Sequence, residues 1–508
     1  MQKKFFLALF VFVSLTATLY SQEQPLRIEF ECDPGVEPYV EVPCGIYGVT
    51  VFYPTLEELD DYTTWKFILL DVNLKPIWTI PYKISNNLKF RHSGIEENKL
   101  YLAFSKSGKT NEETNLQVLR IDLKNGNITD QKASIEGRPG KSAMTISRNA
   151  VLIGVEKSKG SASLLFLDFN TMTQSILPFT LDNNHKLLAI SFNTTTNTYC
   201  LISAYETGKA TESLDCYYWK PLSENYDSIN IIGFDENRLI KSAQWIAKGD
   251  SIELIIGGFI DYSRSKGNYL DDYGTRFSGL FSYNLKNSTL SFFPLNTFDN
   301  IYSLITATDL QKTKKSKKKA ANNTPEIDLF LIFHEAKLYN DEIILLTENY
   351  RPQFHTVSSM SYDYYGRPLT TYYDVFDGFR YSNAIVCAFD LNGKLTWTNK
   401  MDIRDVLLER NKKITTLVKD DDFYVMAYAG LGNVASQVIK EKEIVENITV
   451  TKVDFLYTRD QLLDVGKSHI RHWYGSYFLV SGYQTIRNNR VTSSGKRTVF
   501  YLSKMAYK

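Results

Sequence analysis

Charge of one sign is missing from this chain: 58 lysines and arginines stand against 57 aspartates and glutamates. So neutral a balance removes the global electrostatic case for nucleic acid, and any partner must be recognised locally. Long apolar runs are also missing beyond the first residues. The one near the start, Phe5 to Leu15 behind Lys3 and Lys4, is shorter than the ~20 residues a membrane span needs. Followed by "TATLYSQEQ", it reads as an export signal over residues 1–21, cleaved after Ser21. The first cysteine is Cys32, too late for a lipid anchor at the cleavage point. The mature chain, 22–508, is expected to be one soluble domain with no transmembrane segment, periplasmic, outer-membrane associated or secreted.

Cysteine is sparse, with five in the chain. Export would place them where bridges can form. Cys200 and Cys216 stand symmetrically about Gly208, so a hairpin turning there predicts a disulfide, and Cys32 with Cys44 is a second candidate. Cys387, inside "AIVCAFDL", reads as a buried apolar residue.

Histidine is scarcer still for a chain this long, with six. "HEAK" at His334 begins a zinc-protease motif but supplies no second histidine, and His469 and His472 in "HIRHW" point to opposite sides of a strand. A nucleophile elbow, a phosphate loop, a dinucleotide fingerprint and paired CxxC spacing are all missing. No catalytic residue, metal ligand or cofactor is therefore assigned. Carboxylates are the only class abundant enough to hide a site: Asp261, Asp271 and Asp272 in one segment, Asp363, Asp374 and Asp377 in another. Two of them at the right separation would cleave a glycoside, but Asp in Gly-containing loops usually serves turns.

What the chain does have is aromatic and apolar residues, 14% and 43%, a composition that favours strands. One pattern recurs: an apolar strand, Asp or Asn, a short polar turn, then another strand. It appears as "FILLDVNLKPIWTIPY", "VLRIDLKNGNITD", "LLFLDFNTMTQSILPF", "LFSYNLKNSTLSFF" and "IVCAFDLNGKLTWTNK". Long apolar strands between these hairpins begin near positions 47, 98, 149, 197, 250, 341, 421 and 475. A step of about 50 residues with four strands per unit predicts an all-β propeller. Seven or eight four-stranded blades fit, with eight slightly preferred.

The hairpins carrying Trp78 and Trp397 resemble repeats of quinoprotein-type propellers and of scaffold propellers of outer-membrane assembly. More broadly the chain is similar to uncharacterised exported propeller proteins of Bacteroidota, whose signal peptides often end in Ser-Gln, as at Ser21 and Gln22. The resemblance implies a fold and no activity.

The step is broken by insertions at about 259–278, 299–325, 352–380 and 430–448, and hairpin geometry assigns all of them to one face. Long loops on a rigid scaffold are where binding residues gather. Two insertions echo each other, "DDYGTRFSGLFSYNL" and "DGFRYSNAIVCAFDL". The candidate binding residues are Tyr269, Asp272, Tyr273 and Arg276 in the first, and Tyr364, Tyr365, Arg367, Tyr372, Tyr373, Phe376 and Arg380 in the second. The alternative is that the loops cap the propeller and pair internally. The run "KTKKSKKK" either touches an anionic surface or is a solvated loop. The expected role is a non-enzymatic binding or scaffolding module for an envelope or extracellular protein. A glycan-binding module is the alternative, and a polysaccharide-degrading enzyme a more remote one.

Overall fold

The recurring Asp or Asn closes a turn. In all five hairpins its side-chain oxygen accepts the backbone N–H two residues on: Asp71 from Asn73, Asp122 from Lys124, Asp168 from Asn170, Asn284 from Lys286 and Asp390 from Asn392, at 2.7–3.0 Å. A short side chain that mimics a backbone turn fixes where the third strand of a sheet ends and the fourth begins. The long apolar runs between these hairpins become second strands, buried on both faces; Lys99–Ser105 and Ala150–Glu156 are examples.

The computed structural model describes residues 26–507 apart from 34, 36, 60, 107–112, 158–160, 183, 209, 222, 224, 250–251, 263–272, 299–326 and 492–494. Seven antiparallel sheets have four strands each, built from residues 40–85, 89–136, 138–181, 185–231, 238–294, 415–452 and 461–506. The last of these takes its fourth strand, Arg27–Glu31, from the other end of the chain, paired along Lys496–Ala506. The remaining sheet, around residues 329–402, has seven strands. Its first strand is split into Leu329–Phe333 and Lys337–Tyr339, and two short strands, Arg276–Phe277 and Leu407–Leu408, are added at its margins. The slight preference for eight four-stranded blades is not upheld: seven sheets have four strands, and this one is enlarged by short strands from its neighbours' connections.

Consecutive sheets are joined by apolar clusters. Phe52 and Phe67 of the first sheet pack with Leu102 and Phe104 of the second, and the pattern continues to Val418 and Val425 against Ile470 and Val480. Val49 and Leu70 of the first sheet meet Trp473 and Leu502 of the last, and the Trp473 indole donates to the Gly48 carbonyl at 3.0 Å. Radial packing that returns to its start is a closed propeller ring. The joint in the last sheet is also ionic. Arg497 reaches Asp460 at 2.6 Å and Glu29 at 3.0 Å, while Arg27 reaches Glu29 at 2.8 Å and Gln484 at 2.8 Å.

Two sequence expectations are corrected here. All five cysteines are free thiols. The Gly208 hairpin pairs Thr207 with Ala210, and a bulge between Tyr205 and Glu206 shifts the register further, so Cys200 lies opposite Tyr218 and Cys216 opposite Ile202. Mirror symmetry about Gly208 thus misplaces the pair by two residues. Cys32 follows the outermost strand of the last sheet, whereas Cys44 follows the innermost strand of the first and bonds to Val42 and Thr50. The second correction concerns 430–448, which is no insertion. Leu431 and Gly432 make a tight turn between Phe423–Gly430 and Asn433–Lys440, and Glu443–Lys452 completes an ordinary sheet.

Candidate functional site: the decorated face

The aromatic segment from Met360 to Ser382 forms strand, not loop. Glu342–Tyr362 and Pro368–Asp390 pair along their whole length, from Glu342 opposite Asp390 to Tyr362 opposite Pro368. From Phe354 outward this two-stranded arm has no further strand beside it among the described residues and extends about 30 Å at ~3.4 Å per residue. Its tip is a turn in which Asp363 accepts the Tyr365 and Arg367 amides at 2.9 and 2.8 Å, with Gly366 at φ 74°. The Arg367 amide, the foremost of these contacts, holds the Asp363 carboxyl below its ordinary range, and the Arg367 guanidinium adds an ion pair at 2.9 Å. Tyr364 and Tyr365 at this tip are 97% and 76% exposed. Met360, Tyr362, Leu369, Tyr372 and Tyr373 are exposed too. Opposite residues share a face, so Met360 and Tyr372 lie on one side of the arm and Tyr373 and Leu369 on the other.

The root of the arm is held by rings. Tyr273, from the first insertion, lies 5.1 Å from Phe354 and 4.7 Å from Phe376, and Phe376 packs at 5.0 Å on Phe379. Phe379 continues to Tyr350 at 5.6 Å, and Tyr350 to Phe330 at 5.4 Å. A bulge at Asp377 turns the strand here. Gly378, at φ 144°, is required: a Cβ would come within 2.7 Å of the Leu408 carbonyl oxygen. Asp377 pairs with His355, which holds its carboxyl below the ordinary range, and it accepts Gln353 at 3.3 Å. The Arg380 Nε donates to Gln353.

The sequence-derived candidates therefore separate. Tyr364, Tyr365, Arg367, Tyr372 and Tyr373 are presented to solvent on the arm, whereas Tyr273, Phe376 and Arg380 anchor it. Arg276 sits in the short strand paired with Phe330. Tyr269 and Asp272 lie outside the described residues, as do Asp271, the insertion at 299–325 and its lysine run. The first insertion packs through Tyr273 on the root of the second, while the outer arm exposes its rings. Asp363, Asp374 and Asp377 each accept a local hydrogen bond.

Sequence reading missed a second feature, where the innermost strands of two neighbouring sheets meet. Lys412 and Lys413 lead into Thr415–Asp420, an innermost strand. The Lys412 ammonium donates to His469 Nε2 at 2.6 Å. Burial, with Lys467 nearby, brings Lys412 down to about 8; burial also lowers His469 to about 4. Glu348, fully buried, accepts His334 at 2.7 Å, the Ile414 and Thr415 amides at 2.9 and 2.7 Å and the Thr415 hydroxyl at 2.6 Å. The tandem lysine before an apolar strand was the only sequence signal, and lysine pairs are too common to single out.

No protein-family model matches the chain, and no curated protein sequence does either. Among solved structures it is similar to the β-propeller domain of the Trilobed protease from Pyrococcus furiosus, at TM-score 0.34 and 9% identity, over 83% of this chain and 96% of that one. It is similar also to the WD40 domain of SCAP from fission yeast, at TM-score 0.39 and 8% identity, over 94% and 97%. A third is the polysaccharide lyase Uly1, at 0.38 and 9%, over 82% and 90%. The propeller assignment rests on sheet order and ring closure, not on these likenesses.

Proposed function

We propose that this protein is an exported binding or scaffolding module that recognises an envelope or extracellular protein through the arm at residues 354–376. The supporting observation is the exposure of Met360, Tyr362, Tyr364, Tyr365, Leu369, Tyr372 and Tyr373 on a two-stranded projection that no other strand among the described residues flanks. An exposed apolar patch of this kind marks interaction surfaces, and Tyr is favoured at their energetic centres. The anchored root lets the arm present those rings without the cost of ordering a loop on binding. A propeller is a rigid support for such a role, and the role needs no bound cofactor. Export and a place in the periplasm or at the outer membrane are part of this reading, resting on residues 1–21.

Glycan binding is the second reading, since the same tyrosines could stack on sugar rings. A carboxylate-dependent polysaccharide-cleaving enzyme fits less well, because Asp363, Asp374 and Asp377 are each engaged locally. The test replaces 356–374 by Asn-Gly and compares affinity capture from the native envelope with the full chain. Loss of captured partners with an unchanged melting temperature is expected. Capture of the same partners in equal yield would remove the arm from recognition, and tyrosine fluorescence that responds to oligosaccharides instead would favour the glycan reading.

A further inference from the structure

Between the seven-stranded sheet and the sheet that follows it, the outer strands leave a groove. One wall is Leu395–Asp402, the outermost strand of the first, with Arg404 and Asp405 of the connection after it. The other is Asn433–Lys440 with Glu443–Lys452, the two outer strands of the second. Neighbouring sheets of a ring diverge away from its axis, and two small residues in the lining, Gly430 and Ala435, leave the space open. The cavity measures about 510 Å³, a size that takes a small ligand or a short stretch of peptide.

The most buried polar side chain in the lining is Gln437, 4% exposed. Its side-chain carbonyl oxygen has no hydrogen-bond partner among the described residues. The strand ladder accounts for its place: Ser436 lies opposite Thr449 and Val438 opposite Glu446, so a bulge leaves Gln437 with no residue directly across from it. A buried acceptor without a donor is unfavourable, and a ligand that supplies one removes the deficit. The last torsion of a glutamine side chain is broad, so either end of the amide can turn to the ligand.

The rest of the lining restricts what that ligand is. Its charges balance: Lys400 pairs with Asp402 at 2.8 Å, and Arg404 adjoins Asp405, so a formally charged ligand gains no net attraction. The rim is aliphatic, with Leu431, Ile444 and Val450 each more than half exposed and Ile448 partly buried beside them. Tyr428, the one aromatic residue of the lining among the described residues, is buried, and its hydroxyl accepts the Arg404 amide at 3.0 Å. A sugar therefore finds no open ring to stack on. An extended peptide supplies both a backbone amide for Gln437 and aliphatic side chains for the rim.

The groove also adjoins the arm. Leu407–Leu408, just beyond Arg404 and Asp405, pairs with Phe379 and Arg380 at the arm's root. We infer that the groove is a second contact for the arm's protein partner and takes an extended aliphatic segment, whose backbone amide bonds to Gln437 and whose side chains rest on Ile444, Ile448 and Val450. This rests on the reading of the chain as a protein-binding module, but on none of the residues exposed along the arm.

The experiment selects on the full chain from a phage-displayed library of random heptapeptides, then titrates the enriched sequences as synthetic peptides by fluorescence anisotropy. Peptides with alternating aliphatic residues are expected, bound about fivefold or more weakly by Gln437→Met and by Ile444→Glu. Gln437→Met keeps the length of the side chain while removing its unsatisfied group, and Ile444 is exposed, so both variants should keep the fold; melting temperatures are measured first. The chain with 356–374 replaced by Asn-Gly should bind these peptides unchanged, so a failure of the arm leaves the groove standing. No enrichment over a selection without the protein, or peptides that either groove variant binds as tightly as the natural chain, overturns the groove. Peptide binding abolished by shortening the arm places the peptide site there and overturns it too. Oligosaccharide binding weakened by Gln437→Met, in place of peptide binding, overturns the peptide as occupant.

Discussion

At the scale of single residues, the structure separates side chains the sequence had grouped. Among the described residues, the recorded ring contacts of Tyr364 and Tyr365 are with each other and with Arg367, so replacing both by Ser should leave stability within about 0.5 kcal/mol while weakening partner capture; thermal melting and a binding assay read the two effects. Cys200 and Cys216 share neighbouring strands, but a register two residues off mirror symmetry leaves them unbridged. Burial pushes Cys216 up to about 12. Thiol titration of the unfolded, unreduced chain should therefore find five free thiols, and three or fewer would contradict the register. His469 predicts a pH response. Its pKa falls from 6.5 unfolded to about 4 folded, chiefly through burial, so the folded state binds fewer protons in that interval. The stability it contributes is complete above pH 6.5 and is lost as pH falls towards 4. Urea midpoints measured across this window should drop for the natural chain and drop less for His469→Gln.

At the scale of elements, hairpins were legible and exposed strands were not. The Asp or Asn turns could be read because turn chemistry is local, and the second strands because both their faces are buried. The arm and Glu443–Lys452 escaped because strands open to solvent on both sides need no apolar alternation. Two elements carry predictions. Phe379→Ala at the arm's root should cost about 3 kcal/mol and loosen the arm, seen as faster amide exchange in 354–376. Arg497 joins Glu29 on the N-terminal strand to Asp460, all three almost fully buried. Removing one partner of such a network strands the others, so Arg497→Ala should cost about 3–5 kcal/mol in urea unfolding.

At the scale of the whole molecule, the repeat step was enough to place an all-β ring, because strand order within a sheet repeats along the chain. Tyr273 rests on Phe354 and Phe376, so the first insertion meets the root of the second. The contact of Lys412 with His469 was not legible, since the two are far apart in sequence and meet only when neighbouring sheets pack together. The account's central claim is that the arm meets the partner. Hydroxyl-radical footprinting of the intact chain, with and without native envelope extract, tests it most directly. The account predicts protection of Met360, Tyr362, Tyr364, Tyr365, Tyr372 and Tyr373; an arm that stays fully reactive while another surface is protected would contradict it.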